Sequence, residues 1–145
     1  MVSMDATASR HVNGELYYEH RGEARGLKAR QYVYGIGSYH YNWHPALEIL
    51  VVVTGGMEVC ADGRVERCEP GDVMVINSND GHATLATQPH TTVLLLHIDA
   101  GYLAGFTQDG SVPRFSCRSA GSTRDQPGFA RLRTLLARTM LASDR

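Results

Sequence analysis

Asn42-Trp43-His44-Pro45-Ala46-Leu47-Glu48 runs directly into Ile49-Leu50-Val51-Val52-Val53, and this stretch decides the fold. Asn42, His44 and Glu48 stand at even spacing, so on an extended strand their side chains leave by one face. If Glu48, Leu50 and Val52 face inward, Ile49, Val51 and Val53 face outward and are equally apolar. A strand apolar on both faces must be covered on both. A second polar cluster lies downstream, from Pro70-Gly71-Asp72 to His82, again embedded in apolar sequence. Two such clusters on separate strands predict a pocket.

Outward from this stretch the signals are those of short strands joined by turns. Gln31–Tyr34 reads as a strand broken by Gly35 and Gly37. Met57–Ala61 and Arg64–Cys68 flank Asp62-Gly63, a hairpin signal of the two-residue type I′ kind. That turn sets Glu58 opposite Arg67 and Cys60 opposite Val65, and points Cys60 and Cys68 to opposite faces. Val73–Ile76, Ala83–Thr87 and Thr92–Ile98 supply further strands. Closely spaced short strands of this kind predict a β-sandwich or barrel.

The flanks differ in character. Residues 1–14 are polar and non-periodic and read as a loose N-terminal arm. After Asp99, Gly101–Phe106 reads as a short helix, and Thr107–Thr123 is irregular. Asp125 offers an N-cap and Pro127 suits a first turn, while Phe129, Leu132, Leu135, Leu136 and Met140 recur at helical spacing. The expected organisation is therefore an arm over 1–14, a barrel over 15–106, and a connector with an amphipathic helix over 107–145.

Composition narrows the class. The 145 residues make one domain, with 43% hydrophobic and 20% charged residues and a net charge of −1, which gives no global attraction to nucleic acid or membrane. Seven arginines fall between Ser111 and Arg145 without interleaved aromatics, the pattern of a solvated helix face. Three cysteines without a Cys-x-x-Cys pair indicate neither a disulfide framework nor a structural zinc site. The N-terminus lacks the apolar core of a signal peptide and no apolar run spans a bilayer, so a cytoplasmic location is the default. Nucleophilic catalysis has little support: there is no Gly-x-Ser-x-Gly elbow and no phosphate-binding loop.

Two spaced motifs resemble those of cupins. The first cupin motif, Gly…His-x-His with Glu and Gly following, is matched by Gly37…Asn42-x-His44, Glu48 and Gly55. The second is matched by Gly71, Asn77-x-Asn79 and His82. The resemblance implies a mainly β fold, a small antiparallel jelly-roll barrel with a central pocket, here followed by a C-terminal amphipathic helix. More narrowly, Trp43–Leu50, Pro70–Val73, Ile76–Asn79, His82 and Val93–Asp99 resemble the N-terminal sensor domain of AraC-family transcription regulators. That family implies a small-molecule effector, often a sugar or related metabolite, a homodimer, and DNA contact through helix-turn-helix units beyond the sensor. The chain ends at Arg145, before such units could begin, so it is expected to be a piece of a longer regulator and not to bind DNA specifically by itself.

The candidate pocket residues are Asn42, His44, Glu48 and His82. Cupin enzymes hold a metal with three histidines and a glutamate. His44, Glu48 and His82 match three of these positions, whereas Asn42 replaces the first histidine. Two histidines and a carboxylate can form an iron-type facial triad, but an amide oxygen is a poor ligand for soft divalent metals. The preferred reading is a metal-free effector pocket without a cofactor, in which Asn42, His44, Glu48 and His82 donate to and accept from ligand hydroxyls. The alternative is a metal-dependent oxygenase or isomerase using His44, Glu48 and His82 with Fe, Mn or Zn. Tyr39, Tyr41 and Trp43 have the opposite parity to Asn42 and are expected outside. His97 alternates with Leu94 and Leu96, and its face is left open. Phe129, Leu132, Leu136 and Met140 are the candidate dimer contact, with cover for the protein's own barrel as the rival use of that edge.

Overall fold

A computed structural model describes residues 3–12, 15–24, 26–116 and 123–142, with side chains described from residue 26 onward. Ten strands and two helices follow one another: β1 Ser3–Val12, β2 Glu15–Ala24, β3 Leu27–Tyr34, β4 Tyr39–Asn42, β5 Leu47–Thr54, β6 Met57–Ala61, β7 Arg64–Cys68, β8 Val73–Ile76, β9 His82–Ala86, β10 Thr91–Ile98, α1 Ala100–Ala104 and α2 Pro127–Ala142. They form a six-stranded sheet in the order β1-β2-β3-β10-β5-β8 and a four-stranded sheet in the order β4-β9-β6-β7. Every pairing is antiparallel. This is the expected jelly roll with a C-terminal helix.

The two sheets face each other across a core of Leu50, Val52, Met57, Val59, Met74, Ile76, Val93 and Leu95. Their parity is the one that the β5 sequence predicts. The other face of the same strands carries Ile49, Val51, Val73 and Leu96, which form a second cluster with Leu136 and Met140 of α2. Double-sided apolarity in β5 is thus explained: one face lines the barrel and the other is roofed by the terminal helix.

This roof corrects the proposed use of the helix edge. Leu136 and Met140 are buried on the protein's own sheet, and Phe129 and Leu132 pack against the same cluster. The apolar stripe is consumed within the chain because Ile49 and Val51 would otherwise face water. Arg133 fastens the helix further, donating to the carbonyls of Gly71 at 2.9 Å and Arg124 at 2.7 Å.

Turn chemistry matches the strand register. Asp62 and Gly63 both have positive φ (53° and 70°), as a type I′ turn requires, and the hairpin pairs Glu58 with Arg67 and Cys60 with Val65. Cys60 is exposed and Cys68 buried, both as free thiols. Gly55 (φ 84°) closes β5 where a Cβ would collide with Thr91 Oγ1 and lie 2.7 Å from Thr91 Cα. Thr91 is fully buried there, and its hydroxyl bridges the Gly56 backbone and the Gln88 carbonyl.

The N-terminal expectation is not met. Ser3–Val12, read as a loose arm, is strand β1 paired with β2, and β2 in turn extends the large sheet through β3. A ladder satisfies backbone N–H and C=O groups whatever the side chains, so polar, non-periodic sequence does not preclude a strand at a sheet edge. Residues 1, 2, 13 and 14 of that arm lie outside the described residues, as do Cys117, Arg118 and Arg145.

Candidate functional site

Glu48 stands at the second position of β5 with only 2% of its surface exposed. A carboxylate at that depth is costly unless partnered, and three imidazoles surround it. His97 Nε2 lies 2.6 Å from Glu48 Oε1, and His44 Nε2 lies 3.6 Å from the same oxygen. His82 Nε2 approaches the other oxygen, Oε2, at 3.3 Å. The rings are close-set, with His44 centred 4.6 Å from His97 and 5.2 Å from His82.

Each histidine reaches the cluster from a different element. His97 is the cross-strand neighbour of Glu48 in the β10–β5 ladder, inward-facing in line with Val93 and Leu95. His82 opens β9 after the Asn77–Gly81 turn. His44 stands in the segment joining β4 to β5. The even spacing of Asn42, His44 and Glu48 therefore does not come from one strand, because Asn42 ends β4 in the small sheet and Glu48 belongs to β5 in the large one. Pro45 interrupts the extended run between them. Convergence on one site survives because both sheets turn these faces inward.

Ring orientation is fixed from outside the cluster. His44 Nδ1 donates to the Ala46 carbonyl at 3.0 Å, and His82 Nδ1 donates to the Asp80 carbonyl at 3.1 Å. A carbonyl can only accept, so in both rings Nδ1 carries the proton and Nε2 is turned toward the carboxylate. Metal-ligating histidines are held by such outer hydrogen bonds. His44 Nε2 is also a buried nitrogen without a hydrogen-bond partner. One donor atom each from His44, Glu48 and His97 lies within 4.8 Å of the others. A pair of imidazoles with a carboxylate, one imidazole nitrogen still uncommitted, is a donor set that suits a first-row divalent cation. The residues present fit such a metal.

Burial acts on Glu48 to raise its pKa, but the imidazoles of His44, His82 and His97 outweigh it and hold the carboxyl well below its ordinary range. For His82 burial works downward, and the Glu48 carboxylate overcomes it, raising the imidazole above its usual value. In the metal-free protein the cluster is thus a carboxylate facing a readily charged imidazole, stabilised as a pair and not as separate groups.

Two cavities meet at the cluster. An inner one of ≈ 180 Å³ lies between the sheets, where Tyr32, Tyr34, Asn42, Thr84 and His82 contribute to its wall. A wider one of ≈ 600 Å³ opens outward beside His44, Pro45, Lys28 and Asp99. His97 lines both. Of the predicted pocket residues, Asn42, Glu48 and His82 line the inner cavity and His44 the outer one. Asn42 sits at an exposed rim and is the one predicted residue outside the close cluster. Tyr39, Tyr41 and Trp43 point outward with 48%, 66% and 68% exposure, as parity predicts.

The sequence alone does not assign the face of His97. Its parity with Leu95 was visible, but which face of β10 is inward depends on the β10–β5 register, and no single-strand pattern carries that.

Fold and site together define a cupin-type barrel with a histidine–carboxylate centre. Residues 34–99 match the model of the family described as Cupin domain. No curated protein matches the chain significantly. Among solved structures, the chain is similar to KdgF from Halomonas sp., with 24% identity and a TM-score of 0.56 over 63% of this chain and 86% of that one. It is also similar to an RmlC-like cupin from Shewanella frigidimarina, with 17% identity and a TM-score of 0.56 over 63% and 84% of the two chains. A mutant of Bacillus subtilis oxalate decarboxylase OxdC matches with 21% identity and a TM-score of 0.54 over 64% of this chain and 27% of its own. At these identities the likeness is one of fold.

Proposed function

We propose that this domain is the effector-sensing part of an AraC-like transcription regulator, a binding domain and not an enzyme. It takes a small hydroxylated molecule at the Glu48 cluster and works in the cytoplasm as a homodimer. DNA contact belongs to a separate domain of that regulator. The observation that carries the reading is the position of Glu48 and His97 on β5 and β10, two of the strands whose opposite face supports α2. A ligand that displaces either side chain acts on strands that directly underlie the helix, and in this family the helical region joins sensor to DNA-binding domain. Such a ligand shifts the helix only as far as it binds the two arrangements with different affinity.

The inner wall favours a hydroxylated ligand. Glu48 accepts, Asn42 and Thr84 both donate and accept, and the histidines do either. Dimer contact is placed on a surface other than the helix edge, which the barrel already covers. Among the described residues no helix is long and apolar enough to cross a membrane.

A second reading, a metal-dependent cupin enzyme, is favoured by the spare Nε2 of His44 beside Glu48 and His97. Calorimetric and thermal-shift screening with sugars, polyols and small hydroxy acids separates the two, run on chelator-treated and metal-supplemented protein. Saturable binding without turnover supports the sensor. Chemical conversion of the bound molecule by the purified domain, abolished by His44→Ala, overturns it in favour of the enzyme.

A further inference from the structure

We propose that the outer face of the small sheet, around Tyr41 and Val65, is the surface through which two copies of this chain associate. This rests on the homodimer of the sensor reading and extends it by naming the face that forms it.

Strand register builds that face. In β4, β9, β6 and β7 alternate residues point into the barrel, where Met57, Val59, Cys68 and Thr84 are buried, and the residues between them point out. Cross-strand pairing sets the outward residues in two rows, Tyr39–Leu85–Glu58–Arg67 and Tyr41–Ala83–Cys60–Val65. The second row carries no charge. Trp43, of the same parity as Tyr39 and Tyr41, continues the aromatic column beyond the end of β4.

The large sheet shows what an apolar outer face requires. Its Ile49, Val51 and Leu96 are buried beneath α2, whereas Val65 of the small sheet is 67% exposed, as Tyr41 and Trp43 are to the same degree. An aromatic side chain buries roughly 150–250 Å², so the exposed fractions of Tyr39, Tyr41 and Trp43 leave on the order of 300–450 Å² in water. That is already the size of the largest apolar patch on a typical monomer, about 300–600 Å². It is also about half of the roughly 800 Å² that each copy buries in a stable dimer, and the remaining residues of the two rows add to it.

The chemistry of the face favours a second copy as its occupant. Tyrosine, tryptophan and arginine are the residues enriched where proteins associate. The two rows hold one charge of each sign, Glu58 and Arg67, set as direct cross-strand neighbours. The face is thus neutral and self-complementary, and two copies meet on it without net repulsion, as a two-fold contact demands. Trp43 is ordered before any partner arrives, because its Nε1 donates to the Asn79 carbonyl at 2.7 Å, which lowers the entropic cost of docking. The two cavities at the Glu48 cluster open elsewhere, and a flat sheet face suits a protein surface better than a small molecule.

The test is the solution mass of the 145-residue chain by sedimentation equilibrium, up to about 100 µM, above the micromolar Kd of a weak interface of standard size. Wild type is expected to reach the mass of a dimer. Emission of Trp43, the single tryptophan of the chain, should move to the blue over the same range and reads the contact without any substitution. In a Cys117→Ser background, a thiol reagent that reaches Cys60 at once in dilute protein should reach it more slowly where the dimer forms. Tyr41→Lys with Val65→Lys, and separately Tyr41→Glu with Val65→Glu, should each weaken association roughly 100-fold or more, because like charges then meet across the contact. Mixed in equal amounts, these two preparations should pair with each other. Phe106→Lys, 74% exposed but outside the small sheet, should leave the mass unchanged. Circular dichroism and melting temperature establish that each variant is folded. A dimer that persists in both charged variants overturns this face and leaves the homodimer standing, and a mixture that stays monomeric overturns direct pairing of the two faces. Wild type that stays monomeric at the highest concentration overturns both face and homodimer. A Trp43 shift seen only on addition of an oligosaccharide likewise overturns the dimer face and assigns the aromatic column to a glycan. The effector reading is tested separately, by the small-molecule screen on chelator-treated protein.

Discussion

Glu48 and His82 titrate against each other, and the consequence for stability has a definite direction. The folded pKa of Glu48 is depressed, so its contribution is present above the ordinary value of 4.5 and is lost as pH falls through the lower folded value. That of His82 is raised, so its contribution is complete below the ordinary value of 6.5 and is lost as pH rises through the higher folded value. The metal-free domain should therefore be most stable between pH 4.5 and 6.5 and lose melting temperature above that window. His82→Gln should flatten the alkaline limb and shrink the acid limb without abolishing it, since His44 and His97 still hold the Glu48 carboxylate. Melting curves across the range in the presence of a chelator check this, and an unchanged alkaline slope in the variant refutes the assignment. The thiols differ on the same scale. Burial foremost, then the nearby Asp72 and Glu66 carboxylates, push the Cys68 thiol up to about 12, whereas Cys60 is exposed. In a Cys117→Ser background at pH 8, a disulfide reagent should titrate Cys60 at once and Cys68 only after unfolding.

At the scale of elements, α2 packs its apolar stripe on the outer face of the large sheet. Leu136 is 2% exposed among Ile49, Val51 and Leu96, so Leu136→Ala should cost about 2–5 kcal/mol of folding stability in denaturant titrations. That loss should not vary with protein concentration, as it would if the residue were buried between two copies. The pair Leu132→Asp with Leu136→Asp should unfold the roof of the barrel and not simply yield a well-folded monomer. Most of the strand elements were legible in the sequence: the β6–β7 hairpin from Asp62-Gly63, β5 from its two apolar faces, and β8 over Val73–Ile76. Strands β1 and β2 were not, because a ladder on polar sequence leaves no hydrophobic period to read. Three of the four predicted pocket residues converge because motif spacing reflects how the sheets close. His97 stayed hidden for a related reason: its face is a property of register, which arises only when two strands meet.

Across the whole molecule, the chain between barrel and helix is tied down at both ends. Asn77 exchanges two hydrogen bonds with the Phe115 backbone, at 2.8 and 2.7 Å, and Arg114 makes a two-pronged pair with Asp80. Further on, Arg124 grips Asp72, a buried carboxylate in the Glu69–Asp72 turn. The first of these ties involves the turn that also orients the site, but through different atoms. Asp80 offers its carbonyl to His82 and its carboxylate to Arg114. Asp80→Asn should therefore loosen the connector while leaving in place the hydrogen bond that orients His82. Hydrogen exchange should quicken at the Phe115 amide by roughly tenfold, the factor that about 1.4 kcal/mol of local stability represents. Exchange across α2 should stay as in wild type, because Arg124 and Arg133 hold that end independently. If exchange across α2 instead quickened together with that at Phe115, connector and helix would be one mechanical unit and the ties at Asp80 and Asp72 would not act independently.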